Sequence, residues 1–192
     1  MANIEEKVEN LISKTIEDLG YELYDVVYEK EAQDYYLRIF IDTPNGISLN
    51  DCEKVNDAIN DMLDEANYIK DQYFLEVSSP GIERVLRKEK HLQASIGKEI
   101  TCNLFRAIVI KDEKEEKSEK TTEEITQQEI KSKKKKLKSQ KNISFKQIEG
   151  TLKSFDKDKI VLQVQLANQK FQAEVEIERK NIATMRLKYN WE

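Results

Sequence analysis

Apolar residues at Ile4, Val8, Leu11, Ile12, Ile16 and Leu19 recur at helical spacing, and Gly20 stands where a left-handed residue would close the run. The spacing predicts a helix over Ile4 to Leu19. Tyr21 to Lys30 and Tyr35 to Asp42 are rich in aromatic and branched side chains, with a short polar interval between them. They predict two strands paired antiparallel. Pro44-Asn45-Gly46 is turn chemistry, and Ser48 with Asp51 three residues later is a cap for a second helix. Leu49, Cys52, Val55, Ile59, Met62, Leu63 and Ala66 form its apolar stripe, which makes Cys52 a core residue rather than a reactive one. A third strand, Tyr73 to Val77, closes an αββαβ half with the helices on one face of a three-stranded sheet.

Ile82 to Ser95 is polar and basic, and Gly97 marks a second boundary. Lys98 to Ile110, Phe145 to Phe155, Ile160 to Leu166, Phe171 to Ile177 and Ile182 to Leu187 then read as about five short strands, the pattern of a small β-barrel. The expected fold class is α+β: an N-terminal domain over 1–90, a linker over 91–96, and a barrel domain over 97–192. Residues 111–141 interrupt the barrel with 8 acidic and 11 basic residues and no Gly, Pro or aromatic. So little apolar surface cannot offset the entropy of ordering, so this insertion is expected to be flexible or a solvated helix. Its Lys131-to-Lys138 run could hold phosphates but could not read bases; a solubilising role fits it equally.

Composition narrows the chemistry. Two cysteines and one histidine in 192 residues leave little room for a disulfide framework, a zinc site or a Ser-His-Asp triad. No glycine-rich phosphate loop is present, and His91 has no Cys or second His near it, so it is expected to be exposed or partly packed. Neither a cofactor nor a metal is expected, and no nucleophile, base and stabiliser come together. No apolar run approaches the ~20 residues of a bilayer span, and the first residues lack an export signal, so a cytoplasmic protein is expected. The net charge of −5 hides a division: residues 1–80 hold 19 acids and 6 bases, whereas 81–192 hold 18 acids and 26 bases. Two surfaces with different partners are implied, the second suited to polyanions.

The stretch Leu75-Glu76-Val77-Ser78-Ser79-Pro80-Gly81-Ile82-Glu83-Arg84-Val85-Leu86 carries the most specific signal. Two hydroxyls before Pro-Gly at a strand end can present oxygen atoms and N–H groups in a tight turn, and Arg84 can grip a phosphate or carboxylate. Ser78, Ser79, Pro80, Gly81 and Arg84 are therefore candidates for an ordered inter-domain docking loop, flanked by Arg87, Lys88 and Lys90. A purely local role, with the serines satisfying the turn and Arg84 pairing with an acid of the N-terminal half, is equally compatible. Lys153, Lys157 and Lys159 around Phe155 are weaker candidates for contact with an RNA backbone.

On these residues the chain resembles the RimP family of bacterial ribosome maturation factors. Gly20-Tyr21-Glu22-Leu23, Arg38-Ile39-Phe40-Ile41-Asp42, Ser48-Leu49-Asn50-Asp51-Cys52, Gly97 and the strands from Gly150 to Leu187 extend the resemblance over all but the 111–141 insertion. It departs where Glu83-Arg84-Val85-Leu86 replaces the family's usual Asp-Arg-Pro-Leu, losing a rigid proline. The resemblance implies a non-enzymatic factor that binds the small ribosomal subunit or its precursor and promotes its assembly, touching rRNA and a basic ribosomal protein. It also implies an α+β N-terminal domain and an Sm- or SH3-like C-terminal barrel. A monomer is expected. The alternative is an Sm-like RNA-binding regulator not tied to the ribosome, against which the acidic N-terminal half stands.

Overall fold

The protein is described by a computed structural model over residues 3–111, 142–166 and 171–189. It divides into two compact units, 1–84 and 85–192.

In the first unit, α1 (Ile4–Asp18) begins at Asn3, whose side chain accepts from the Glu6 N–H at 2.8 Å. At its end Gly20 adopts φ +89°, which lets the Tyr21 N–H reach the Ile16 carbonyl and the Gly20 N–H reach that of Glu17. These bonds satisfy carbonyls that the helix would otherwise leave open. β1 (Glu22–Glu31) and β2 (Asp34–Asp42) pair antiparallel, with a bulge between Leu23 and Asp25. α2 (Leu49–Ala66) opens on a Ser48–Asp51 capping box and ends at Asn67 in a left-handed conformation. It carries the chain back so that β3 (Tyr73–Ser78) lies parallel to β2, giving the sheet order β1-β2-β3.

Period-two alternation decides which face is covered. Leu37, Ile39 and Ile41 of β2 meet Val8, Ile12 and Ile16 of α1 and Val55, Ile59 and Leu63 of α2 in one core. Tyr36, Arg38 and Phe40 occupy the opposite face. Four members of the expected α2 stripe lie outside the buried set, Met62 and Ala66 being half-buried. Cys52 is half-buried, and Leu49 is 86% exposed. The stripe centres on Val55, Ile59 and Leu63, and at 3.6 residues per turn Leu49 falls roughly 80° away from it.

The second unit has α3 (Glu89–Gln93), then β4 (Glu99–Lys111), β5 (Asn142–Phe155), β6 (Lys159–Leu166), β7 (Phe171–Glu178), a 3-10 turn (Arg179–Asn181) and β8 (Ile182–Leu187). The five strands form an antiparallel sheet in the order β7-β6-β5-β4-β8. The architecture is thus α+β with a separate five-stranded antiparallel sheet, in which β7 and β8 are the terminal strands among the described residues. One core takes Ile100, Cys102 and Leu104 from β4, Ile148 and Leu152 from β5, Ile160 and Leu162 from β6, Ile177 from β7 and Met185 from β8.

The division into units falls ahead of the expected boundary at 90 and of the expected linker over 91–96. The second unit begins at Val85, which bridges to Arg186, and Leu86 is buried in its core with its N–H on the Met185 carbonyl at 2.9 Å. Within 91–96, Leu92 belongs to that core and His91 and Ser95 are buried, whereas Gln93, Ala94 and Ile96 are exposed. Leu92 is fully buried, and the Ser95 hydroxyl donates to the His91 carbonyl at 2.7 Å. His91 is only 4% exposed, since its Nδ1 accepts from the backbone N–H groups of Arg87 and Lys88, both at 3.2 Å. A basic segment read by hydropathy alone resembles a linker; these polar bonds are what bury it. The proposed insertion, Lys111 at the end of β4 apart, lies outside the described residues, as does the Lys131-to-Lys138 run.

Candidate docking surfaces

In the first unit the chain leaves β3 at Ser78 and turns sharply. The Ser79 hydroxyl accepts from the Gly81 N–H at 3.2 Å, and Gly81 holds φ +76°, a conformation that other residues adopt only with strain. Arg84 folds back over this turn. Its Nε donates to the Gly81 carbonyl at 3.2 Å, its guanidinium pairs with the Asp42 carboxylate at the end of β2, and it lies over the Tyr24 ring at 5.3 Å. Burial pushes the Tyr24 hydroxyl up to about 12, with the nearby guanidinium opposing the shift. Ser79, Gly81 and Arg84 thus meet in one ordered turn, and the arginine is engaged with an acid of its own unit. Asp42 and Tyr24, on which this arrangement rests, were not singled out by sequence; the Arg38-to-Asp42 run gave no hint of a partner in the turn.

The sheet face opposite the helices has a character of its own. Arg38 pairs with Glu29 and, at 2.7 Å each, with Glu31 and Glu76. The hydrogen bond from Arg38 pulls the Glu31 carboxyl below its usual range. One guanidinium among three carboxylates leaves an excess of negative charge. Beside it Tyr36 stacks on the exposed Phe74 with ring centroids 5.4 Å apart, and Arg38 lies 4.9 Å from the Tyr36 ring.

The basic flank falls in the second unit. Arg87 and Lys90 are exposed and Lys88 is half-buried, on a backbone that His91 holds by the two bonds described above. The β5–β6 turn carries the other candidates. Asp156 accepts from the N–H groups of Asp158 and Lys159 at 2.8 Å, and these bonds lower its pKa. Lys159 reaches across to Glu176 of β7 at 2.9 Å, while Lys153 and Lys157 are exposed.

Burial pushes the Cys102 thiol up to about 12, and Cys52 is also raised, so neither is a ready thiolate. Among the described residues no group of His, Cys, Asp or Glu is placed to hold a metal ion, and no helix is long and apolar enough to cross a membrane. What the chain offers is an acidic aromatic face in one unit and cationic loops in the other. The family model of the RimP N-terminal domain matches residues 11–83, from within α1 through β3 to the Ser-Pro-Gly turn, so this stretch of the chain is similar to the N-terminal domain of the RimP family.

Proposed function

We propose that this protein is a non-enzymatic ribosome maturation factor that binds the small ribosomal subunit or its precursor in the cytoplasm, as a monomer, and promotes its assembly. The match of residues 11–83 to the RimP N-terminal domain carries this reading, since it points to a family of ribosome maturation factors. Charge supports a division of labour. Residues 1–84 hold 20 acids and 7 bases, a net of −13, whereas 85–192 hold 17 acids and 25 bases, a net of +8. The first unit suits a basic ribosomal protein and the second suits rRNA, because complementary potential steers encounter and rejects wrong partners.

In this reading the Ser78-Ser79-Pro80-Gly81 turn with Arg84 is the docking loop, Arg87, Lys88 and Lys90 are its basic flank, and Lys153, Lys157 and Lys159 add backbone contacts. We read the second unit as a small Sm- or SH3-like barrel; the delivery of Ile177 from β7 and Met185 from β8 to one core supports it. The factor would act by binding one conformation of the particle better than its competitors, with no bond made or broken.

Co-sedimentation with mature and immature small subunits at two salt concentrations tests the proposal. Salt-sensitive pelleting with the small subunit and none with the large one is expected. Binding to free RNA with no enrichment on either particle would favour an RNA-binding regulator instead.

A further inference from the structure

β4 leaves its ladder midway. Its pairing with β5 jumps from Asn103↔Gln147 to Ile108↔Phe145, so the residues between Asn103 and Ile108 have no partner in that strand. Backbone groups freed in this way need another partner. Asn181, in the 3-10 turn before β8, supplies it: its Oδ1 accepts from the Arg106 N–H and its Nδ2 donates to the Arg106 carbonyl, both at 2.9 Å. A side-chain amide therefore stands in for a neighbouring strand across 75 residues of sequence.

The clasp fixes what the bulge displays. Leu104 is buried on one side and Ile108 packs against the core on the other, while Phe105 between them is 67% exposed. A lone exposed apolar residue is common on soluble proteins and by itself means little. This one sits on a pinned segment, next to the exposed Arg106, and the clasp ties it to Arg179-Lys180-Asn181. The Lys180 side chain is 81% exposed and pairs with Glu178, itself exposed, at 3.1 Å, an interaction weak enough to be exchanged for a phosphate. Arg179 is held by the Asp156 carbonyl at 3.1 Å and lies 3.8 Å from Glu89, which anchors the turn to its surroundings.

We propose that the Phe105–Arg106 bulge is a stacking platform for an unpaired RNA base, with Arg106 and Lys180 on the adjoining phosphates. An exposed phenyl ring on a clasped backbone, with exposed cations at Arg106 and Lys180 on the two segments that the clasp joins, suits a base and its backbone, and the unit's net positive charge favours RNA over a basic protein. Paired bases in an A-form duplex keep their faces stacked inside, so the platform selects single-stranded loops or ends. The inference deepens the proposed contact with rRNA and rests on that reading for its biological partner, though not for its chemistry.

The test is fluorescence anisotropy of the full chain with short oligouridine and with an RNA duplex of equal length. Oligouridine is expected to bind better than the duplex. Phe105→Ala should weaken it about tenfold or more, Phe105→Tyr should keep affinity within about twofold, and Arg106→Ala with Lys180→Ala should reduce the salt slope by roughly one or more. Circular dichroism of each variant checks that the fold is kept. No binding of oligouridine, equal binding of the duplex, or an unchanged affinity in Phe105→Ala overturns the platform. Pelleting with small subunits, measured on the same proteins, separates the two claims: wild type that pellets while Phe105→Ala leaves oligouridine affinity unchanged sinks only the platform, and Phe105-dependent oligouridine binding without pelleting sinks only the ribosomal reading.

Discussion

The guanidinium of Arg84 pairs with the carboxylate of Asp42, joining the turn after β3 to the end of β2. Both side chains are largely shielded from water, and the arginine also donates to the Gly81 carbonyl and covers Tyr24. A charge left alone here would lose a partner without regaining full solvation. Arg84→Ala should therefore destabilise the first unit by about 1–2 kcal/mol, and Arg84→Lys should not restore it, because an ammonium cannot lie flat on a ring and fork to two acceptors. Urea unfolding followed by circular dichroism measures this. An unmoved midpoint would show the pair to be a surface ornament.

Gly150 gives a second prediction, of a different origin. A Cβ at this position would come within 2.6 Å of the Gln163 carbonyl oxygen and 3.2 Å of a Val164 methyl. The obstacle is backbone of the neighbouring strand, which cannot swing aside as a flexible side chain can. Gly150→Ala should cost about 2 kcal/mol or more by forcing β5 and β6 apart. Thermal melting of the variant checks it, and a melting temperature equal to wild type would show that the strands can separate at little cost.

These two sites illustrate what the sequence disclosed and what it did not. The Ile4-to-Leu19 periodicity, the Ser48–Asp51 cap and the alternation in β2 are local signals, each readable within one or two turns of helix or one strand, and α1, α2 and the first sheet follow them. Arg84 and Asp42 are 42 residues apart, and Arg106 and Asn181 are 75 apart. Pairings of that kind depend on which strands the fold makes neighbours, so no window of sequence contains them. The difference between the expected boundary at 90 and the division at 84 has the same cause. Residues 87–95 are polar enough to read as a connector, yet the His91 ring is buried by two hydrogen bonds rather than by hydrophobicity. An exposed Phe105 was within reach: continuing the inward alternation of Ile100, Cys102 and Leu104 places it outside.

Asp51 makes the first unit sensitive to acid. Its carboxylate accepts from the Ser48 hydroxyl at 2.6 Å, the Ser48 N–H at 2.8 Å and the Tyr21 hydroxyl at 2.6 Å, and these bonds hold its pKa down at about 2. An unfolded aspartate titrates near pH ~3.9. A depressed folded value means that the stabilisation is fully present above the unfolded pKa and is lost as pH falls toward the folded one. The melting temperature of Asp51→Asn should thus lie below that of wild type by a constant margin down to about pH 4, and the margin should close between about pH 4 and 2. A margin that persists at pH 2 would assign the loss to cap shape rather than to charge.

The segment from Arg87 to His91 separates charge from scaffold. Removing cations from an RNA contact lowers the dependence of binding on salt in proportion to the phosphates no longer neutralised, while leaving the fold intact. Arg87→Ala with Lys90→Ala should weaken pelleting with small subunits and reduce its salt slope by roughly one to two. His91→Ala acts the other way round. It strips the Arg87 and Lys88 N–H groups of a buried acceptor, and should lower the stability of the second unit by about 2 kcal/mol. Its cations remain, so at temperatures where the variant is folded its salt slope should match wild type. If the double alanine variant instead binds with the wild-type slope, the basic flank does not face RNA, and the exposed Lys153 and Lys157 become the next cations to replace.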